Sequence, residues 1–166
     1  MTTDYLELYD ATVAIKGALQ SGFGAPGVLN PPAIFRVQVG SAAIPGMDDC
    51  CRGELTLLVG ESTPFEGSED LQGTMVWTQR YAAVLFRCQP TIDNMGNEPT
   101  PAEDDAALKQ VLYDRQLIMR TLRTFFTSQP YFCDGDYTDI TATQVQAEGG
   151  CCGTLVEFSV PIIEDC

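Results

Sequence analysis

The chain has 166 residues, enough for one domain with a real core, and 45% of them are hydrophobic against 19% charged, so no disulfide scaffold is needed for stability. Nine basic residues stand against twenty-three acidic ones, a net charge of −14 that argues against gripping a nucleic-acid backbone, which runs on clustered Lys and Arg. No apolar run nears the roughly 20 residues that span a bilayer, and the first residues, "MTTDYLELYDATVAIK", lack a basic segment followed by an apolar one, so the chain reads as soluble, without membrane partners and made in the cytosol.

In chain order, residues 4–20 carry Leu6, Leu8, Tyr9, Val13, Ile15 and Leu19, with Thr3 and Asp4 as caps and Gly22 and Gly24 as the stop; this is a first helix. A Gly/Pro-rich connector leads to "AIFRVQV", residues 33–39, whose alternation is that of a strand. Residues 53–61, with Leu55, Leu57 and Val59 on one face, are expected to pair antiparallel with residues 76–88, closing a hairpin whose long tip covers about residues 62–73. A second long loop, about 90–101, precedes the clearest helix, residues 102–127. There Leu108, Val111, Leu112, Ile118, Leu122, Phe125 and Phe126 recur at helical spacing, and Leu112, Ile118, Leu122 and Phe125 are the predicted core anchors. Pro101 suits its first turn, and Glu103, Asp104 and Asp105 suit the positive end of its dipole. Residues 138–147 and 152–163 form the last predicted hairpin. The fold class is therefore α/β of the α+β kind, one domain over residues 1–166. A mostly antiparallel sheet of about five strands packs against two helices in the order α-β-β-β-α-β-β.

Seven cysteines are many for a chain without an export signal, and most are expected to be thiols during synthesis. Adjacent cysteines in an extended segment point to opposite faces, and the chain has no histidine, so a zinc site fits poorly and neither metal nor cofactor is expected. Hairpin geometry brings Cys50 or Cys51 beside Cys88, and Cys133 near Cys166, as two pairs able to bridge. Cys151 and Cys152 read as small buried residues in a glycine turn. Without histidine the common nucleophile–base arrangements are missing, as are phosphate-binding loops, so the chain is read as a non-enzyme. Lys109, Arg115, Arg120 and Arg123 lie on the polar faces of the long helix. They form a solvated face or, in so acidic a protein, a face that meets an acidic patch on a neighbouring copy.

Three short motifs carry a resemblance: "CCRGELTLLVG", "VLFRCQP" and "EGGCCGTLVEFSV", with the long helix between the second and third. Their order and spacing resemble the small neck proteins of long-tailed phages of actinobacteria, variously called tail terminators or head-to-tail connectors. In those proteins a Cys-Gly-rich approach to a strand, an Arg-Cys-x-Pro strand exit and a Gly-Gly-Cys-x-Gly hairpin recur. Here they correspond to Cys51 to Gly53, Arg87 to Pro90 and Gly149 to Gly153, within a likeness covering residues 50 to 160. The resemblance implies a ring, a hexamer, at the head-proximal end of a phage tail. Such a ring caps the major tail tube protein and offers a surface to the head-side connector while DNA passes through unbound. Localisation would be the virion, after assembly in the host cytoplasm. A head-side stopper or adaptor, a tube subunit, and a thiol- or metal-binding module are the alternatives. Within this reading the acidic hairpin tip is expected at the channel or the tube-facing surface: Glu61, Glu66, Glu69 and Asp70 by their charge, Pro64 and Phe65 by contact with the neighbouring protein.

Overall fold

The computed structural model describes residues 6–40, 50–64, 76–92, 95–128, 140–146 and 150–163. Its elements are α1 (Leu6–Phe23), β1 (Ile34–Val39), β2 (Glu54–Pro64), β3 (Val76–Cys88), α2 (Pro101–Ser128), β4 (Thr141–Gln146) and β5 (Cys151–Ile163), with a 3-10 turn at Cys50–Arg52. This is an α+β fold in the expected element order. The five strands lie in the order β1-β2-β3-β5-β4. β1 runs parallel to β2, and every other neighbouring pair is antiparallel. The two sequence-local hairpins are thus stitched together by β3 and β5, each 13 residues long.

Both helices cover one face of this sheet. Leu55 and Leu57 of β2, Tyr81, Ala83 and Leu85 of β3, and Val156, Phe158 and Val160 of β5 project toward them, as the period-2 alternation of strands requires. From α1 the buried positions are Ile15, Leu19 and Phe23, and from α2 they are Leu117, Ile118, Leu122 and Phe126. Tyr81 stacks on Phe158 at 5.5 Å between ring centroids, and Phe126 closes on Phe158 at 5.7 Å. On the opposite face Leu58, Val84, Phe86 and Cys151 form a second cluster, so β2 is buried without a break from Glu54 to Leu58, as a strand covered on both sides is.

Three expectations about the helices are corrected. In α1, Tyr9 is 65% exposed and Val13 47% exposed, because the inward stripe runs Leu8, Thr12, Ile15, Leu19, Phe23 and leaves 9 and 13 on the far side. The polar member, Thr12, donates to the Leu8 carbonyl at 2.7 Å and shares a 3.0 Å hydrogen bond with the Tyr81 hydroxyl. Gly22 does not stop this helix. It lies inside α1 where α2 crosses, and a methyl group there would run into the Thr121 side chain. In α2, Ile118 and Leu122 are buried as expected, Phe125 is half-buried, and Leu108 and Leu112 are exposed. Asp114, not an apolar residue, takes the inner position at that level.

The start of α2 is built as the sequence suggests and adds a reciprocal cap. The backbone N–H and the hydroxyl of Thr100 each donate to Glu103 Oε2 at 2.8 Å, and the Glu103 N–H returns to the Thr100 hydroxyl at 3.4 Å. The Thr100 N–H, with its hydroxyl second, holds the Glu103 carboxyl below its usual range. β2 runs three residues past its predicted end, to Pro64, across a bulge between Val59 and Ser62. Buried Gln79 reaches the carbonyls of Gly60 and Arg80 at 2.8 and 2.9 Å and bonds the Ser62 hydroxyl, so the irregular stretch has its polar groups satisfied.

Candidate functional site

The three motifs meet at one corner of the sheet. Cys51, Arg52 and Gly53 lead into β2, Arg87 and Cys88 end β3, and Gly150 opens β5. The register sets Glu54 opposite Phe86, Phe86 opposite Gly153, Arg87 opposite Cys152 and Cys88 opposite Cys151. The Gln89 N–H extends the ladder by one bond, to the Gly150 carbonyl at 2.8 Å. Gly150 has φ +80, a left-handed turn conformation that glycine adopts without strain.

Cys51 and Cys88 are joined by a disulfide, with alpha carbons 4.5 Å apart and a separation of 37 positions along the chain. It ties the foot of β2 to the end of β3. Cys151 is disulfide-bonded too, which corrects its reading as an unbonded filler, and Cys151 and Cys152 lie in β5 rather than in the turn. Their side chains take opposite faces: Cys151 joins the cluster on the helix-free side, and Cys152 faces the layer of α2. The expected Cys133–Cys166 pair lies outside the described residues.

Beneath Cys152 sits a buried charged fork. Arg87 donates from Nε to Asp114 Oδ2 at 2.8 Å and from a terminal nitrogen to Oδ1 at 3.0 Å, the bidentate geometry that suits guanidinium and carboxylate. Gln110 Nε2 gives a third donor to Oδ1 at 2.9 Å, and Asn30 Nδ2 donates to Gln110 Oε1 at 3.1 Å. The fork therefore fastens β3 to α2 and, through Gln110, to the loop after α1. Gly53, at φ +78, makes room for it, since a Cβ there would come within 2.5 Å of an Arg87 nitrogen. A second ion pair joins Arg36 of β1 to the fully buried Glu54 at 3.5 Å.

Burial, and after it the Asp114 carboxylate, pushes the Cys152 thiol above its usual range. A protonated, enclosed thiol is a poor nucleophile. In the native protein at pH 7.5 Cys152 should resist iodoacetamide for hours and be alkylated within minutes once urea unfolds the chain, read by peptide mass spectrometry. Rapid native labelling would show that the thiol is accessible.

A cleft of about 470 Å³ opens over this corner, lined by Asn30, Pro31, Cys51, Arg52, Cys88 and Gln110 among others. Its polar groups are already engaged, Arg87 by Asp114 and the two cysteines by each other. Among the described residues no cluster of His, Cys, Asp or Glu could hold a metal ion, and no helix is long and apolar enough to cross a membrane. The corner works as a clamp.

The other candidate residues lie elsewhere. Glu61 and Pro64 belong to strand β2, exposed on its outer stretch, and not to a loop tip. Phe65, Glu66, Glu69 and Asp70 lie outside the described residues. Arg115, Arg120 and Arg123 are exposed on α2 beside Lys109 and Leu112, and no hydrogen bond or ion pair among the described residues joins them to Glu61. The sequence reading missed Asp114, Gln110 and Asn30. The one available signal was an acid four residues before Ile118 on the apolar stripe of a helix. No protein-family model matches this chain, and no curated protein matches its sequence.

Proposed function

We propose that this protein is a structural component of a phage virion, a ring at the head-proximal end of the tail that caps the tube and joins it to the head connector. The observation that carries the reading is the convergence of the three resemblance motifs on one clamped corner, where Cys51 meets Cys88 and Arg87 meets Asp114. Residues far apart in sequence share one structural task there, and the free thiol among them, Cys152, is buried. Exposed Glu61 and Pro64, with the acidic run that follows them in sequence, face the channel or the tube, where repeated negative charge keeps DNA from adhering. The outer face of α2 suits an acidic neighbouring protein, because between Leu108 and Arg123 it exposes Lys109, Arg115, Arg120 and Arg123 and no acid. In this reading the protein binds no cofactor and performs no catalysis.

Electron microscopy of the purified protein, alone and mixed with tail tubes, tests the proposal. Six-fold rings seated on one end of each tube are expected. Twelve-fold rings that ignore tubes would move the protein to the head side of the neck, and a monomer that leaves tubes bare at every concentration would overturn the reading.

A further inference from the structure

A sheet of five strands has two edges, and in this fold they belong to different segments, β1 on one side and β4 on the other. Each is six residues long. Edge strands normally carry protection against pairing with another chain, most often charge or proline. Here β4 reads Thr-Ala-Thr-Gln-Val-Gln, without a charge or a proline, in a chain holding twenty-three acids. β1 reads Ile-Phe-Arg-Val-Gln-Val, and its one charge, the half-exposed Arg36, is paired with Glu54 of β2 at 3.5 Å. At its end Val39 is 88% exposed. Among the described residues no backbone hydrogen bond leaves the outer side of either strand.

Strand directions settle how two such edges would fit. β1 runs with β2, β3 against them, β5 with them and β4 against them. When copies are arranged around a rotation axis, strand directions relative to that axis are preserved. The β4 of one copy then meets the β1 of the next antiparallel. We propose that these two edges pair between copies, so that the sheets of neighbouring subunits join into one continuous ladder. The contact is heterologous, the kind that closes into a ring where the rotation from copy to copy allows it, and not the self-matching kind of a dimer. The occupant of each edge is a second copy of this chain because each copy carries both halves of the match.

The faces fix the register to within one step. Phe35 packs on Phe23 of α1, and Val37 lies opposite Leu57, so the odd residues of β1 are on the helix side. In β4 that side belongs to the even residues, since Ala142 is opposite Val156. Keeping the helices of both copies on the same side of the joined sheet therefore matches odd β1 positions with even β4 positions. The symmetric choice sets Val37 opposite Gln144 and Val39 opposite Ala142.

This inference rests on the ring reading, and a charge-swap series separates the two. The full-length protein and the variants Val37→Lys, Gln144→Lys, Val37→Lys/Gln144→Lys and Val37→Lys/Gln144→Glu are compared by mass photometry and size-exclusion light scattering across concentration. Circular dichroism of each variant reports its fold. Like charges set opposite each other across a strand pair repel and opposite ones attract. The Lys/Lys variant should remain folded and lose its rings, each single variant should need at least tenfold more protein to form them, and the Lys/Glu variant should recover them. Rings formed equally well by all five proteins would overturn edge pairing while leaving the ring itself standing. A parent protein that is monomeric at every concentration would overturn both. Should Val37→Lys fail to fold, Gln144→Lys against Gln144→Glu, with Val37 replaced by Thr, repeats the comparison from the solvent-exposed β4 side.

Discussion

Asp114→Ala should cost the fold about 3–5 kcal/mol, the usual penalty when one partner of a buried ion pair is removed. The carboxylate is 1% exposed and Arg87 only 8%, so the variant leaves a guanidinium enclosed with no counter-charge. Gln110 loses its acceptor at the same time, and Asn30's partner, Gln110, is no longer held in place by Asp114. For a chain of this length each kcal/mol moves the melting temperature by roughly 2–4 °C, so calorimetry should find a fall of about 10 °C. The paired variant Arg87→Met/Asp114→Leu should recover most of it, because removing both charges removes the desolvation cost along with the attraction. If Asp114→Ala melts with the parent protein, the fork is not the fastening between β3 and α2.

Leu122→Ala should be about as damaging, at roughly 2–5 kcal/mol, from lost burial and the cavity left behind. Leu122 is fully enclosed between the two helices and the sheet, whereas Leu112, ten residues earlier on the same helix, is 47% exposed. Leu112→Ala should therefore cost well under about 1 kcal/mol, the range of surface changes. Urea titrations of the two variants side by side provide the check, and equal losses would mean that the inner face of α2 is wrongly placed.

That pair of residues also shows what the sequence can and cannot reveal. Helical spacing placed α2 to within a residue or two and found Ile118 and Leu122, because one long apolar repeat is a local signal. It took Leu112 for an anchor because spacing does not say where the sheet ends beneath the helix. At that level the partner is Arg87, and the complementary residue is Asp114. In α1 two apolar series compete, Tyr9 and Val13 against Leu8, Ile15 and Leu19, and only the second meets the strands. The β2–β3 hairpin and the Cys51–Cys88 approach were legible because antiparallel neighbours in sequence have a forced geometry. The parallel placement of β1 and the pairing of β3 with β5 were not, since nothing in either strand names its distant partner. For the same reason the bonded state of Cys151 and the extension of β2 from Glu61 to Pro64 escaped notice.

The β3–β5 ladder also sets the order in which the molecule can be made. It pairs Val76 with Ile163 and Cys88 with Cys151, so the middle of the sheet joins the centre of the chain to its last described strand, with all of α2 threaded between. Contacts this distant along the chain slow folding, because a long loop must close before they reward it. On the ribosome, β2 and β3 can form their hairpin as soon as they emerge, but one side of β3 then waits for β5 until α2 and β4 have been made. During that interval the growing chain presents an apolar strand with an open flank, the condition under which nascent polypeptides stick to one another. The sheet thus cannot be completed until β5 emerges, and nascent chains halted before β5 should be held by chaperones rather than accumulate as folded intermediates.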